Sequence, residues 1–419
     1  MKTKTWEKIK EREVEFLRKF NFKIKLPPYT VPDLTQRKLQ AMRRSDFSLR
    51  GIISESGFAK LQDSFNYNDM KFAFAYQRIN LNMTDSLTDH PYRGVKLNAK
   101  KHDAYFMFTS SGQSALSCSF MAAVDVYKTS QVFLKSNSYY ESIEFFKKYK
   151  FHIRDVDRIY SSTKSDILLI DSSASLVSST IREKKWKLVV IDTTCWSLSD
   201  KTISKYVKHF LHRKIDILLA RSHIKIDCLG TERNRLGSLF IISSKNNRHE
   251  IVRTFRDSLN HHANYWSARA DLNQVYPFFK DAKFQNLNDA WIGRVKASCR
   301  RVYAKVTGQV RNLNRIKILE FPHGLFFWIT FDHLNLNEVN SKTEDLLKRL
   351  VCKKIPAARL ASYPWDFVSL TTFEKVSLYK ESKLSVLRIS VPDLPIELER
   401  SLAKVIIEWI HSIEESHFL

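Results

Sequence analysis

Lys225 stands three residues after Ser222 in Arg221-Ser222-His223-Ile224-Lys225, just beyond an apolar run from Ile215 to Ala220. A short apolar run of this kind reads as a buried strand, so an amine and a hydroxyl arrive together at a strand end. The hydroxyl suits a phosphate oxygen, and the amine suits an aldehyde carbon. One strand–helix unit earlier, Asp192 ends the run Lys187 to Ile191. A carboxylate there can pair with a protonated ring nitrogen, and a low local dielectric strengthens such a pair. Thr109-Ser110-Ser111-Gly112-Gln113-Ser114 joins another apolar run to a helical stretch. Its hydroxyls, with the free N–H groups of a helix start, form an anion site, and Gly112 permits close approach.

Three more positions fit the same chemistry. Tyr140, in Tyr139-Tyr140-Glu141, opens a helical stretch and offers a flat face to a planar ring. Tyr76-Gln77-Arg78 sets a phenol beside a guanidinium, a good pair for phosphate. Arg388 interrupts the apolar strand around Val386 to Val391, on the face of Val386 and Ser390, where it can grip a carboxylate through two hydrogen bonds. Singly, each has a plainer reading: a surface lysine, a loop aspartate, an N-cap serine cluster, a core tyrosine, a helix-surface Tyr–Arg pair, a snorkelling edge arginine. Their order along the chain carries the weight.

That order, Tyr76/Arg78, Gly112, Tyr140, Asp192, Ser222/Lys225, Arg388, resembles the fold-type-I enzymes dependent on pyridoxal 5′-phosphate (PLP). It is most similar to the Cys/Met-metabolism family that includes cystathionine β-lyase and cystathionine γ-synthase. Tyr76-x-Arg78 matches that family's Tyr-x-Arg pair, and Ser111-Gly112-Gln113 resembles its Ser-Gly-Met turn. Tyr140-Glu141 resembles its stacking tyrosine, and Asp192-Thr193-Thr194 its Asp-Asn-Thr. Ser222-His223-Ile224-Lys225 resembles its Ser-x-Thr-Lys, with isoleucine in place of threonine. Arg388-Ile389-Ser390-Val391 resembles its closing Arg-Leu-Ser-Val.

The resemblance implies roles. Lys225 would hold PLP as a Schiff base, Asp192 would keep the pyridine nitrogen protonated, and Tyr140 would stack on the ring. Ser111, Gly112, Gln113 and Ser222 would bind the phosphate, joined by Tyr76 and Arg78 from a neighbouring subunit, which implies a homodimer or tetramer. Arg388 would hold the carboxylate of an amino-acid substrate. The implied reaction is β/γ-elimination or γ-replacement. Other PLP chemistry, such as aminotransfer or decarboxylation in specialised biosynthesis, remains an alternative. So does a catalytically inactive basic binding protein on the same fold.

Such a site needs a sheet whose strand ends converge. Between about 100 and 222, apolar strands alternate with helical stretches: strands at Ala104–Phe108, Val132–Leu134, Ile167–Ile170, Leu188–Ile191 and Ile215–Ala220, helices at Gly112–Tyr127, Glu141–Tyr149 and Lys201–His212. This alternation predicts a doubly wound α/β sheet, followed by a smaller α+β segment, and the resemblance implies the aspartate-aminotransferase form of that fold, with a mainly parallel sheet in a large domain and a smaller α+β C-terminal domain. In open α/β sheets, ligands bind beyond the carboxyl ends of the strands. The expected division is an N-terminal arm (1–60), a large cofactor-binding domain (61–285), and a helical linker with a small domain (286–419). The linker helix is expected over Leu287–Val310. Strands are expected at Gly324–Phe331, Val376–Tyr379 and Ser385–Val391, and a closing helix at Ile396–Ile413.

Composition narrows the context. The 419 residues are 43% hydrophobic and carry a net charge of +25, spread along the chain rather than held in one arm. An anionic cofactor needs only a few cations, so the excess points to a nucleic acid or an acidic carrier as a further, minor possibility. Five cysteines without C-x-x-C spacing argue against a disulfide framework or a zinc site. The charged N-terminus lacks a signal-peptide core, and no apolar run reaches the ~20 residues needed to span a bilayer. A cytoplasmic protein with no membrane partner and no bound metal is expected. Only nine glycines are present, and one of them falls in the proposed phosphate turn.

Overall fold

The structure is a computed structural model. It describes residues 3–18, 52–53, 59–60, 64–67, 70–73, 90–158, 166–174, 178, 184–230, 236–245, 249–268, 270, 282–310, 315–360, 366–376 and 383–415. The chain divides into two compact units, one of residues 46–227 and 232–285, the other of residues 1–45, 228–231 and 286–419. Helix α1 (Thr3–Arg18) opens the chain and belongs to the second unit.

The first unit begins with two small antiparallel pairs, β1 (Ile52–Ile53) with β2 (Ala59–Lys60), and β3 (Ser64–Tyr67) with β4 (Met70–Ala73). Its main sheet follows. In chain order the elements are β5 (His102–Thr109), α2 (Gly112–Tyr127), β6 (Gln131–Leu134), α3 (Tyr140–Lys148), β7 (His152–Asp155), β8 (Ile167–Asp171), β9 (Leu188–Asp192), α4 (Lys201–His212), β10 (Asp216–Ser222), β11 (Gly237–Ser244) and α5 (His249–Tyr265). The strand order in space is β5-β11-β10-β9-β8-β6-β7. β11 runs antiparallel to both neighbours, and the other adjacent pairs are parallel. The expected α/β architecture with a mainly parallel sheet is therefore present.

Local sequence explains these elements. β8, β9 and β10 are buried along their whole length, which is why they read as unbroken apolar runs rather than alternating ones. Ser111 caps α2 by accepting the N–H of Ser114 on its hydroxyl at 3.0 Å. Asp200 caps α4 by accepting the N–H of Thr202 at 2.8 Å, and Ile203, Tyr206, Val207, Phe210 and Leu211 form its buried face. α2 packs on β10 and β11, and α5 packs on α2 and β5.

The second unit contains α6 (Ala282–Gln309, from residue 286), β12 (Ile316–Glu320), β13 (Phe326–Phe331), α7 (Leu336–Cys352), β14 (Ala357–Arg359), β15 (Val368–Val376), β16 (Lys383–Ser390) and α8 (Ile396–Glu415). Its sheet has the order β12-β13-β16-β15-β14, and only the β14–β15 pair is parallel. This is the expected α+β arrangement. The strand expected at Val376–Tyr379 lies earlier, as β15, and residues 377–379 fall outside the described set. Trp409, Phe331, Ile329, Leu387 and Leu346 sit in its core. A buried charge cluster ties α1 to this unit: Lys10 Nζ lies 2.8 Å from Asp366 and 3.3 Å from Glu13, and Arg294 donates to Glu13 and Asp393. Burial alone would lower the Lys10 pKa, but the surrounding carboxylates raise it above the ordinary lysine value.

Among the described residues, no helix is long and apolar enough to cross a membrane. Cys118, Cys195, Cys228 and Cys299 are buried free thiols, and Cys352 is an exposed one.

Candidate active site

Strand register sets the geometry of the first unit's carboxyl edge. Thr109 pairs with Gly237, and Gly237 pairs with Ser222. One step inward, Ala220 pairs with Asp192, and Asp192 with Asp171. Five strands thus deliver their ends into two adjacent rows. β5 continues directly into Ser110-Ser111-Gly112, so the start of α2 lies over Ser222. A Cβ on Gly112 would fall 2.5 Å from Ser222 Cβ and 2.8 Å from its Cα. A Cβ on Gly237 would fall 2.1 Å from the Ser111 carbonyl oxygen. Two glycines let three backbone segments touch, which gives the scarce residue its purpose here.

Ser111, Gly112 and Gln113 form the N-terminal end of α2, where unpaired N–H groups and the helix dipole favour an anion. Ser222 lies against them and donates its N–H to Thr194 Oγ1 at 3.0 Å. Thr194 in turn donates its N–H and hydroxyl to Asp192 Oδ1, at 2.9 and 2.5 Å. Ser222 and Asp192 are therefore joined by hydrogen bonds through Thr194, and Gly112 packs against Ser222.

Asp192 is 8% exposed. Its Oδ1 takes both Thr194 donors, and Oδ2 has no hydrogen bond among the described residues. Burial, and then the charge of neighbouring Asp171, push its pKa up to about 7 against the pull of Thr194 and Arg221. Asp171 is also raised, chiefly by burial, but it accepts the N–H of Tyr139 at 2.6 Å and both the N–H and hydroxyl of Ser173 at 2.7 Å. With three donors, Asp171 is the better-supported anion of the pair. Asp192 has no salt bridge among the described residues, and Arg221 acts on it only through its charge at a distance.

Lys225 is half-buried in the turn that follows β10. A clamp spans that turn. Arg221, fully buried at its start, donates Nε and Nη2 to Asp227 Oδ2 and Oδ1 at its end, both at 2.6 Å. Arg221 Nη1 donates to the carbonyls of Thr193 and Trp196. His223 Nδ1 lies 2.7 Å from Asp227 Oδ2, and its Nε2 lies 2.7 Å from Ser238 Oγ. Burial lowers the His223 pKa, so the ring is neutral, with Nδ1–H donating to Asp227 and Nε2 accepting from Ser238. Arg221 holds the Asp227 carboxyl below the usual range against the effect of burial. Tyr92 closes the cluster through a 3.1 Å hydroxyl contact with Thr193 Oγ1. Sequence reasoning missed the roles of Arg221, Asp227 and His223. The available signals were an arginine inside an apolar strand and the Asp227-Cys228-Leu229-Gly230 stretch after the lysine.

The remaining positions are less joined. Tyr140 is the first residue of α3, which the Tyr139–Asp171 bond anchors to β8. Its side chain lies outside the described set, as do Tyr76 and Arg78. Arg388 belongs to the second unit, on β16, where it donates to Thr371 Oγ1 at 2.9 Å and lies over the Phe326 ring.

No family model matches the chain, and no curated protein matches it. Solved structures do. The chain is similar to an aromatic amino acid aminotransferase from Burkholderia cenocepacia J2315, at 14% identity over 49% of this chain and 60% of that one, with a TM-score of 0.40. It therefore spans about three fifths of that relative's length. It is similar to a cystathionine gamma synthase from Xanthomonas oryzae pv. oryzae, at 15% identity over 72% and 81%, with a TM-score of 0.46. It is also similar to an alanine aminotransferase from Pyrococcus furiosus, at 11% identity over 77% and 79%, with a TM-score of 0.49.

Proposed function

We propose that this chain is a PLP-dependent enzyme acting on an amino acid, with its cofactor at the carboxyl edge of the first unit's sheet. The observation that carries the reading is the buried carboxyl of Asp192, whose Oδ2 has no hydrogen bond among the described residues and whose pKa is pushed up to about 7. The donor set fits the group. Asp192 offers an acceptor for a pyridinium N–H, the α2 start with Ser222 offers donors for a phosphate, and Lys225 offers an amine beyond the same strand.

When bound, PLP supplies an aldehyde that condenses with amines and an electron-withdrawing pyridinium ring. The residues of the chain do the rest. Asp192 Oδ2 holds the proton at the ring nitrogen. The N–H groups at Ser111, Gly112 and Gln113 and the Ser222 hydroxyl bind the phosphate, with Tyr76 and Arg78 assigned to a partner copy of the chain. Lys225 would hold the cofactor through its amine, and that amine, once free, would take the proton from the substrate's Cα. The sequence resemblance would give Tyr140 the role of stacking on the ring. Arg221 and Asp227 fix the turn from which Lys225 acts.

Within this class we assign β/γ-elimination or γ-replacement, supported by Tyr140-Glu141 and Arg388-Ile389-Ser390-Val391. The test is the visible absorption of the full-length protein with PLP, before and after borohydride. A band that borohydride abolishes, and that Lys225→Ala lacks, is expected. A protein that takes up no PLP would overturn the reading. Release of a keto acid with ammonia supports elimination, whereas transfer of the amine to an acceptor refutes that finer assignment.

A further inference from the structure

A cavity lies in the first unit, at the end of the sheet opposite the candidate active site. It has a volume of about 520 Å3. His102, where β5 begins, and Ser244, where β11 ends, are a register pair on its wall. The last turns of α4 and the segment 94–96 complete it. Thr109 and Gly237, at the carboxyl edge, are paired across the other end of these two strands. Seven steps at ~3.3 Å per residue separate the two ends, so this cavity is about 23 Å from the candidate active site.

Its charge is one-sided. Lys96, Lys101, Lys208 and Lys214 line it, together with His212, and no lining residue is acidic. None of the four lysines has an ion pair among the described residues. The nearby carboxylate of β5, Asp103, is engaged by Lys245 at 3.5 Å. His102 Nδ1 accepts the N–H of Asn98 at 3.2 Å. The cavity also has an apolar floor, from Val95, Val207 and Leu211, which are buried. The carboxyl end of α4 contributes a partial negative charge, which a solvated face of lysines would serve merely to offset. Four lysines from three separate segments exceed what one helix end requires, and only Lys208 belongs to α4.

We infer that this cavity binds a phosphorylated small molecule carrying at least two negative charges, at a site separate from the candidate active site. Lysine ammoniums are mobile point charges suited to phosphate oxygens, and the apolar floor suits an organic body. A cavity of this volume matches small-molecule sites rather than an open track for a polymer backbone.

The test is calorimetric titration of the full-length protein, loaded with PLP and then freed of unbound cofactor by gel filtration, using inorganic pyrophosphate and adenosine triphosphate as probes. Saturable binding that weakens with added salt is expected. The double variant Lys96→Glu/Lys208→Glu should lose about tenfold or more in affinity, since each reversal changes the local charge by two. Lys348→Glu/Lys353→Glu, with the same charge change on exposed lysines of the other unit, should lose much less. All four side chains are exposed, so unchanged melting temperatures are expected. Absence of saturable binding overturns the inference. So does equal loss in both double variants, or loss in Ser222→Ala, which would place the anion in the proposed phosphate turn. Binding of single-stranded RNA without binding of either small probe overturns it as well. Lys225→Ala separates this inference from the enzyme reading, because it removes the visible band yet should leave pyrophosphate affinity unchanged.

Discussion

Ser222 lies so close to Gly112 that a methyl group on the glycine would sit 2.5 Å from the serine Cβ. The obstacle includes backbone, since Ser222 Cα is 2.8 Å away, so a side-chain rotation cannot relieve it. Gly112→Ala should therefore destabilise the fold by about 1–3 kcal/mol, as overpacking does. It should also push Ser222 off the α2 start and weaken PLP retention by more than the loss of stability alone explains. Dissociation of PLP followed by absorbance, beside a denaturant midpoint, measures both.

Asp192 carries a linked prediction. Its folded pKa, about 7, lies above the unfolded value of about 4, so the folded state holds the proton more tightly. Stability is lost as pH rises between those values, and the penalty is fully present above pH 7 and absent below about pH 4. Asp192→Asn should stabilise the cofactor-free protein at pH 8 by on the order of 2 kcal/mol, and leave it unchanged at pH 4. With PLP added, the order should reverse, because a cation facing Oδ2 favours the wild-type carboxylate. Unfolding curves at the two pH values, with and without PLP, check this.

The Arg221–Asp227 clamp has no solvent to fall back on. Asp227→Ala leaves a fully buried guanidinium without its carboxylate and should cost about 3–5 kcal/mol. Replacing both together, Arg221→Met with Asp227→Leu, should recover most of that loss in urea unfolding. The same double variant should lower turnover, since the turn bearing Lys225 is no longer tied at both ends.

His223 gives an acid-sensitive term. Its folded pKa is lowered, mainly by burial, so the unfolded chain takes up a proton that the folded chain refuses. Stability from this group is intact above the unfolded value of about 6.5 and falls as pH drops below it. His223→Gln should flatten the difference between urea midpoints at pH 7.5 and pH 5.5. An unaltered difference would mean that other groups carry the acid sensitivity.

Lysine occupies several positions where helices usually end in glycine. Lys128 (φ 51°) follows α2, and Lys354 (φ 56°) lies just beyond α7. The left-handed region costs a residue with a Cβ roughly 1 kcal/mol. Lys128→Gly and Lys354→Gly should each raise stability by about 0.5 kcal/mol, after the greater unfolded-state entropy of glycine is allowed for. Thermal melts of the two single variants would show the gain.

Much of the first unit was legible because β8, β9 and β10 are buried along their whole length and α2 and α4 have side-chain caps. Gly112–Tyr127 and Lys201–His212 run over the expected residues, since Ser111 and Asp200 fix their starts. β11 was not anticipated. Gly237–Ser244 follows the strand rules as well as β9 does, but a strict strand–helix alternation leaves no room for a strand directly after β10. α7 was missed too, although Asn335 and Glu338 form a capping box at its start. The site divided similarly. Asp192, Ser222 and Gly112 could be found as strand-end and helix-start residues. Arg221, His223 and Asp227 could not, because their roles come from pairing with one another across a turn, which no spacing rule announces.

The reversed strand β11 also dictates when the sheet can be finished. Among the described strands β5 hydrogen-bonds only to β11, and roughly 130 residues separate Thr109 from Gly237. On a ribosome adding ~5–20 residues per second, β5 emerges on the order of ten seconds before its partner is translated. During that interval Tyr105, Phe106, Met107 and Phe108 have no mate in the sheet, and the growing β10 edge is equally open. Nascent chains halted before residue 237 should therefore be the form of this protein most prone to bind chaperones or to aggregate.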